Sequence, residues 1–239
     1  MRPANRERPA GTAGDRLPFF VSIHEAGHAT GCWATGTDFD EVIVRTWTTL
    51  AEPFVDRRGR NLGPLAGIVV GSPHHHSGFP WPKDMNASVR ASILIDAAIL
   101  AGGPLAEARY RKVHGGCALV DSGSDMDAIQ RLTADYAATF DPPDVSTSLF
   151  TDVMAVHRRL TRGLWPATLA VAEALHARGR LSHRDVLRII ESVTGAGQRP
   201  YSFLLARLGP AKRSSPRRAE AAHVPQTFDD GRQDEGRTA

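Results

Sequence analysis

Within residues 18–36 the order His24-Glu25-Ala26-Gly27-His28 constrains this chain more than any other feature. Phe19, Phe20, Val21, Ile23, Ala29, Cys32 and Trp33 surround it, and Gly36 follows, so the stretch reads as an apolar helix with its stop signal. Residues four apart on a helix share a face and stand about 5–6 Å from each other. Two imidazoles at that spacing can each turn a ring nitrogen toward one cation. The glutamate between them then stands beside the cation rather than on it, where it can take a proton from bound water. The competing reading is a helix whose two surface histidines cap it or pair with Glu25. The apolar surroundings, and the room left by Ala26 and Gly27, argue against that reading. Cys32 lies about 12 Å from His24 along the axis, too far to share one ion with it, and reads as a small core residue.

A zinc ion that performs chemistry takes three protein ligands and keeps one position open. The third ligand must come from elsewhere in the chain. The segment Asp121-Ser122-Gly123-Ser124-Asp125-Met126-Asp127, at the start of a second helix, offers three carboxylates. An aspartate there also has an ordinary use as a cap or as a partner of the helix dipole. Glu107 is a candidate for orienting a ligand histidine through its other ring nitrogen, against the plainer reading of a helix-surface charge. His74-His75-His76 sits in a Pro- and Gly-rich stretch and reads as an exposed loop, because three consecutive residues cannot all face one ion on regular structure. His114 and Cys117 lie near the acidic segment and are weaker candidates for ligand exchange.

The rest of the chain frames a domain of ordinary size. Its 239 residues are 41% hydrophobic and 23% charged, which suits a globular core. The formal net charge is only +3, and the basic residues are spread out apart from a run between Arg207 and Arg218. With no recognisable module beside them, no nucleic-acid partner is expected. The two cysteines form no CxxC pair, and the first residues lack an apolar core, so a reducing, cytoplasmic setting is expected. The most apolar stretch, residues 89–108, is broken by Arg90, Asp96 and Pro104, so no transmembrane segment is expected.

Residues 1–16 and 209–239 are polar and rich in Pro, Gly and charge. They read as a disordered arm and a disordered tail around a globular part at 17–208. Strands are expected at Glu41–Trp47 and Leu65–Val70, and helices at 84–112, 124–140, 144–162, 166–178 and 183–193. Gly102-Gly103-Pro104 should kink or restart the first of these, and Ser124 and Ser182 are expected N-caps. Trp33, Trp47, Phe19 and Phe20 read as core, and Trp81 and Trp165 as packing anchors. The pattern is α+β, mostly helical, with a small β-sheet next to the helix of the two histidines.

HEAGHA, followed by an extended segment, then the helix with LAGGPLAE, then GSDMDAI, resembles the peptidase domain of FtsH-type AAA proteases. The similarity spans about residues 17–193 and is sharp in three short blocks. Trp165 to Ile190 also resembles that family's closing helices. In the family an aspartate of a GASNDL segment is the third zinc ligand, and the resemblance places that role on Asp125. Ser124 stands where the family has Asn, Pro104 stands in the LAGR-type helix, and the gap before Asp125 is longer. No Gly-Lys pair occurs in the chain, because its lysines follow Pro82, Arg111 and Ala211, so the P-loop of the family's ATPase is missing.

The resemblance therefore implies a zinc-dependent metalloendopeptidase that cuts unfolded or flexible protein segments, with Zn2+ on His24, His28 and Asp125 and Glu25 as the catalytic base. A separate AAA ATPase is the partner it implies for folded substrates. The family works as rings held partly by the missing ATPase, so the oligomeric state stays open. The alternative is a zinc-stabilised regulatory or adaptor protein with a catalytically weak peptidase fold, against which the intact Glu25 weighs.

Overall fold

The computed structural model describes residues 15–55, 59, 61, 63, 65–71, 87–113, 123–140 and 146–198. In chain order they form α1 (Phe19–Thr35), β1 (Glu41–Val44), α2 (Trp47–Leu50), β2 (Gly67–Val70), α3 (Ala87–Leu100), α4 (Gly102–Arg111), α5 (Ser124–Phe140), α6 (Ser146–Thr161), α7 (Trp165–Arg178), β3 (Arg180–Ser182) and α8 (His183–Thr194). The architecture is α+β, mostly helical, with one three-stranded sheet of order β2-β1-β3. Both pairings are antiparallel, with Val44 opposite Gly67 and Glu41 opposite both Val70 and Ser182. Among the described residues no helix is long and apolar enough to cross a membrane.

α1 is the hub. Twelve of its 17 residues are buried, so it is enclosed by other elements rather than laid on a surface. It packs against α4, α7, α3 and the β1–β2 edge of the sheet. Ile23, Ala26, Ala29 and Cys32 join Val42, Ile95, Val171, Leu175, Leu181 and Ile190 in one core. Fully burying the Ile, Val and Leu side chains among them favours the fold by about 1.5–3 kcal/mol each. Thr30, also buried, satisfies its hydroxyl on the Ala26 carbonyl and meets Thr168 at 3.2 Å. A second apolar cluster joins α3, α5 and α6 through Ile93, Ile129, Leu132 and Val153.

Several local features differ from the sequence-based expectations. The strand expected to run to Trp47 stops at Val44, because Thr46 and Thr49 form a capping box that starts the one-turn α2. Trp47 is thereby turned out and is 56% exposed, not core, while Phe19 and Phe20 are only half-buried. β3 is three residues long, too short to carry a readable alternation. Asp15 and Arg16, expected in the loose arm, are tied down: Asp15 accepts from the backbone and hydroxyl of Thr48, and Arg16 bridges to Thr46. The helix at Ser124 begins on that residue, with Gly123 at φ +53 supplying the preceding carbonyl to Asp127, so Gly123 rather than Ser124 holds the cap position.

Other expectations match. A new helix starts after Ala101, which leaves Pro104 in a first turn where its missing N–H is harmless. Ser182 caps α8 with Asp185 in a capping box. Trp165 anchors Arg109, whose guanidinium lies 4.5 Å from its ring centre. The His74–His76 stretch, Trp81, His114, Cys117, Asp121 and the tail lie outside the described residues.

Candidate metal centre

The site begins where the backbones of α1 and α4 touch. A Cβ built on Gly27 would strike the Gly102 carbonyl, and one on Gly102 would stand 2.7 Å from the Gly27 carbonyl oxygen. Glycine at both positions allows this approach, which carries two parts of α4 to the histidines. Gly103 lies over both rings, and a Cβ there would stand 2.7 Å from His24 Nε2 and closer still to His28 Nε2. One turn on, Glu107 Oε2 lies 3.2 Å from His24 Nδ1. Arg111 in turn donates to Glu107 Oε1 at 2.6 Å.

Hydrogen bonds determine which ring nitrogens face inward. His28 Nδ1 lies 2.9 Å from the carbonyl of Ile99, which can only accept, so Nδ1 carries the hydrogen and Nε2 presents its lone pair. The same reasoning applies to His24, whose Nδ1 donates to the Glu107 carboxylate. His24 Nε2 and His28 Nε2 are then 3.1 Å apart, with Asp125 Oδ2 at 2.9 Å from the first and 3.5 Å from the second. With both rings neutral, three acceptor atoms converge with no hydrogen between them. Such a group stays together only around a positive charge, either a proton or a metal cation.

The cluster has the dimensions of a metal site. All three donor atoms lie within 4.8 Å of one another. Ligands held tetrahedrally at about 2.0–2.1 Å from zinc stand about 3.3–3.4 Å apart. The observed 2.9, 3.1 and 3.5 Å bracket that spacing. Gly103 adds no side chain of its own beside the two ring nitrogens.

Electrostatics follow from the same contacts. Burial by itself would lower the pKa of His24, but the carboxylates of Asp125 and Glu107 outweigh it and raise the pKa to about 10 in the cation-free chain. His28 is also raised, with Asp125 overcoming the effect of burial. Burial opposes the ionised form of Asp125, yet the two histidines hold its carboxyl well below the usual carboxylate range. Glu107 is lowered, chiefly by its hydrogen bond to His24.

Glu25 differs from the other acids. It is buried, and burial pushes its carboxyl above the ordinary value despite the neighbouring histidines. Its side chain lies against the backbone of Gly67 at the start of β2, where a Cβ would stand 2.6 Å from Glu25 Cγ and 2.7 Å from Oε1. Gly67 is held in place by register with Val44 and by the Arg45 N–H donating to the Ala66 carbonyl next to it. Beyond the two histidines, Glu25 and Asp125, a cavity of about 270 Å³ opens, walled by Leu65, Val69, Ile99, Leu100 and Ala128, with Cys32, Asp96 and Arg131 also lining it.

The structure thus brings together His24, His28, Asp125, Glu25 and Glu107, which lie on three helices. Asp127 is exposed and outside the cluster, and Cys32 is buried in the core. Sequence reading missed Gly67, Gly103 and the Ile99 carbonyl. A glycine inside an apolar strand marks a close approach of another group, which was a usable signal for Gly67. The Gly102-Gly103 pair read only as a helix break. Nothing in the residue types marks Ile99, since its contribution is a backbone oxygen.

The chain matches no protein-family model and no curated protein.

Proposed function

We propose that this protein is a zinc-dependent metalloendopeptidase of the FtsH type, acting on unfolded or flexible protein segments. The observation that carries the reading is the convergence of three lone-pair donors, His24 Nε2, His28 Nε2 and Asp125 Oδ2, beside a buried glutamate. Two imidazoles and one carboxylate are a donor set that suits zinc and leaves one position for a reactant. A cation held there supplies Lewis-acid polarisation and a more acidic water.

The protein's own groups supply the remainder. Glu25, whose carboxyl burial makes more basic, takes a proton from the attacking water and returns it to the departing amine. Glu107, braced by Arg111, and the Ile99 carbonyl hold the two imidazoles in the tautomer that faces the cation. Among the described residues β2 is an edge strand of the sheet, so an extended peptide can add to it and pass beside Glu25 and Gly67. The apolar wall of the cavity receives a side chain next to the scissile bond and keeps bulk water out. These 239 residues hold no P-loop, and the substrate this reading assigns is one that arrives already unfolded or is fed by an AAA ATPase.

The clearance that Gly67 provides for Glu25 favours catalysis over a purely structural zinc site, which has no use for a buried carboxyl beside the metal. The test is zinc content and cleavage of casein or a fluorogenic peptide by wild type and Glu25→Gln. The variant should retain zinc and lose about 10²–10⁴-fold in rate. Cleavage at the wild-type rate would remove Glu25 from the chemistry.

A further inference from the structure

Between α4 and the end of α6 lies a second cavity, of about 690 Å³, that the peptidase reading does not use. Arg109 enters it from α4, Arg158 and Arg159 from the last turn of α6, and Arg162 from the turn after it, with His157 and Thr161 alongside. No acidic side chain lines it among the described residues. Two other arginines of the fold are met by carboxylates, Arg111 by Glu107 and Arg180 by Glu41.

The bland account of basic residues at the end of α6 is compensation of the helix dipole. That account covers Arg158 and Arg159. It leaves unexplained why Arg109, from a different helix, and Arg162, beyond the helix end, line the same cavity. Two of the four guanidiniums are also held in place by contacts that use only part of their donor capacity. Arg109 lies over the Trp165 ring, and Arg158 Nε donates to the Met154 carbonyl at 3.2 Å. Each guanidinium has five N–H donors in a planar fork, so most remain available for a ligand. Cations gathered in a concave site without their own counter-charge form a receptor for an anion, and forked donors match phosphate oxygens.

We propose that this cavity binds a multiply charged phosphate anion, with Arg109, Arg158, Arg159 and Arg162 as its donors. The volume exceeds what a single phosphate fills and falls within the usual range for small-molecule sites. The matching ligand chemistry is a chain of two or more phosphates, free or carried on a nucleoside.

The full-length protein is titrated by calorimetry at low ionic strength with orthophosphate, pyrophosphate, inorganic tripolyphosphate and a nucleoside triphosphate. Tripolyphosphate should bind more tightly than orthophosphate, and added salt should weaken it. Tighter binding of the nucleotide would place its base in the same cavity, whereas equal binding would assign the site to the phosphate chain alone. Arg159→Glu with Arg162→Glu should weaken tripolyphosphate by about tenfold or more. Arg184→Glu with Arg188→Glu, the same change of charge on the exposed face of α8, should leave it unchanged. If circular dichroism shows the first pair unfolded, Arg162→Gln, outside the helix, gives the same comparison. Absence of tripolyphosphate binding by the wild type, or an equal loss in both charge-reversed pairs, overturns the proposal.

Discussion

Gly103 presses its bare Cα against the rings of His24 and His28, so that a methyl group there would stand within 2.7 Å of His24 Nε2. The placing of these two inward-facing nitrogens therefore depends on an atom that is absent from a neighbouring helix. Gly103→Ala is expected to drive α4 away from α1 or fill the space beside the nitrogens. Overpacking of this kind destabilises by about 1–3 kcal/mol. Metal analysis after gel filtration should find the variant depleted of zinc while its helical circular dichroism persists. Full zinc occupancy would show that the rings have other room for the ion.

Gly67→Ala tests the opposite side of the site. Its Cβ would meet Glu25 first, with Cγ, Oε1 and Cδ all within 2.9 Å. The expected outcome is retained zinc with cleavage reduced by about tenfold to a hundredfold, short of the full loss of a general base. Loss of zinc in parallel with activity would mean that β2 supports the ligands as well.

Glu107→Ala removes the acceptor of His24 Nδ1–H. Partners of this kind typically account for about 10–100-fold in metal affinity. Competition with a chromogenic zinc chelator should show a loss of that size, with Glu107→Gln intermediate because its amide oxygen still accepts. An unchanged affinity would reduce Glu107 to a partner of Arg111.

In the proposed zinc site, protons and the cation would compete for the same three atoms. The folded, cation-free chain raises His24 from 6.5 to about 10. The charged ring and Asp125 therefore stabilise that form in full below the ordinary histidine value, and the contribution is lost as pH rises through about 10. Near neutral pH a binding cation must expel this proton. Apparent zinc affinity should increase between about pH 6 and pH 9, by up to about tenfold per unit for one proton. Calorimetry in buffers of different ionisation enthalpy should record proton release. Chelation of the metal should lower Tm, since a ligand at about 1,000 times its Kd adds about 4 kcal/mol.

Far from the site, Ser182→Ala should destabilise the fold by about 1 kcal/mol through loss of the α8 cap, with cleavage per folded molecule unchanged. The hydrogen bond from Ser182 lowers the Asp185 pKa. Its contribution is present above the ordinary aspartate value and fades as pH falls through the lower folded one. Urea denaturation of wild type and variant at neutral and acid pH should converge as the carboxyl protonates.

What could be read from the residues alone was local. The spacing of His24 and His28 places them on one helix face because helical periodicity is a property of the backbone. Ser182 and Pro104 announce a helix start and a break for equally local reasons. The order of types after Ala101 was legible, though three-residue β3 and the turn at Thr46 carried too little pattern to be seen. Residue types alone left Asp125 and Asp127 open, since both are acids in the first turn of α5; the family resemblance pointed to Asp125, and the fold brings Asp125 to the rings while leaving Asp127 exposed. The tautomers of the histidines, the room for Glu25 against Gly67, and the gathering of Arg109 with Arg162 were likewise decided by tertiary structure. Each joins groups from separate segments, and a distance between such groups is set by how elements pack rather than by their position along the chain.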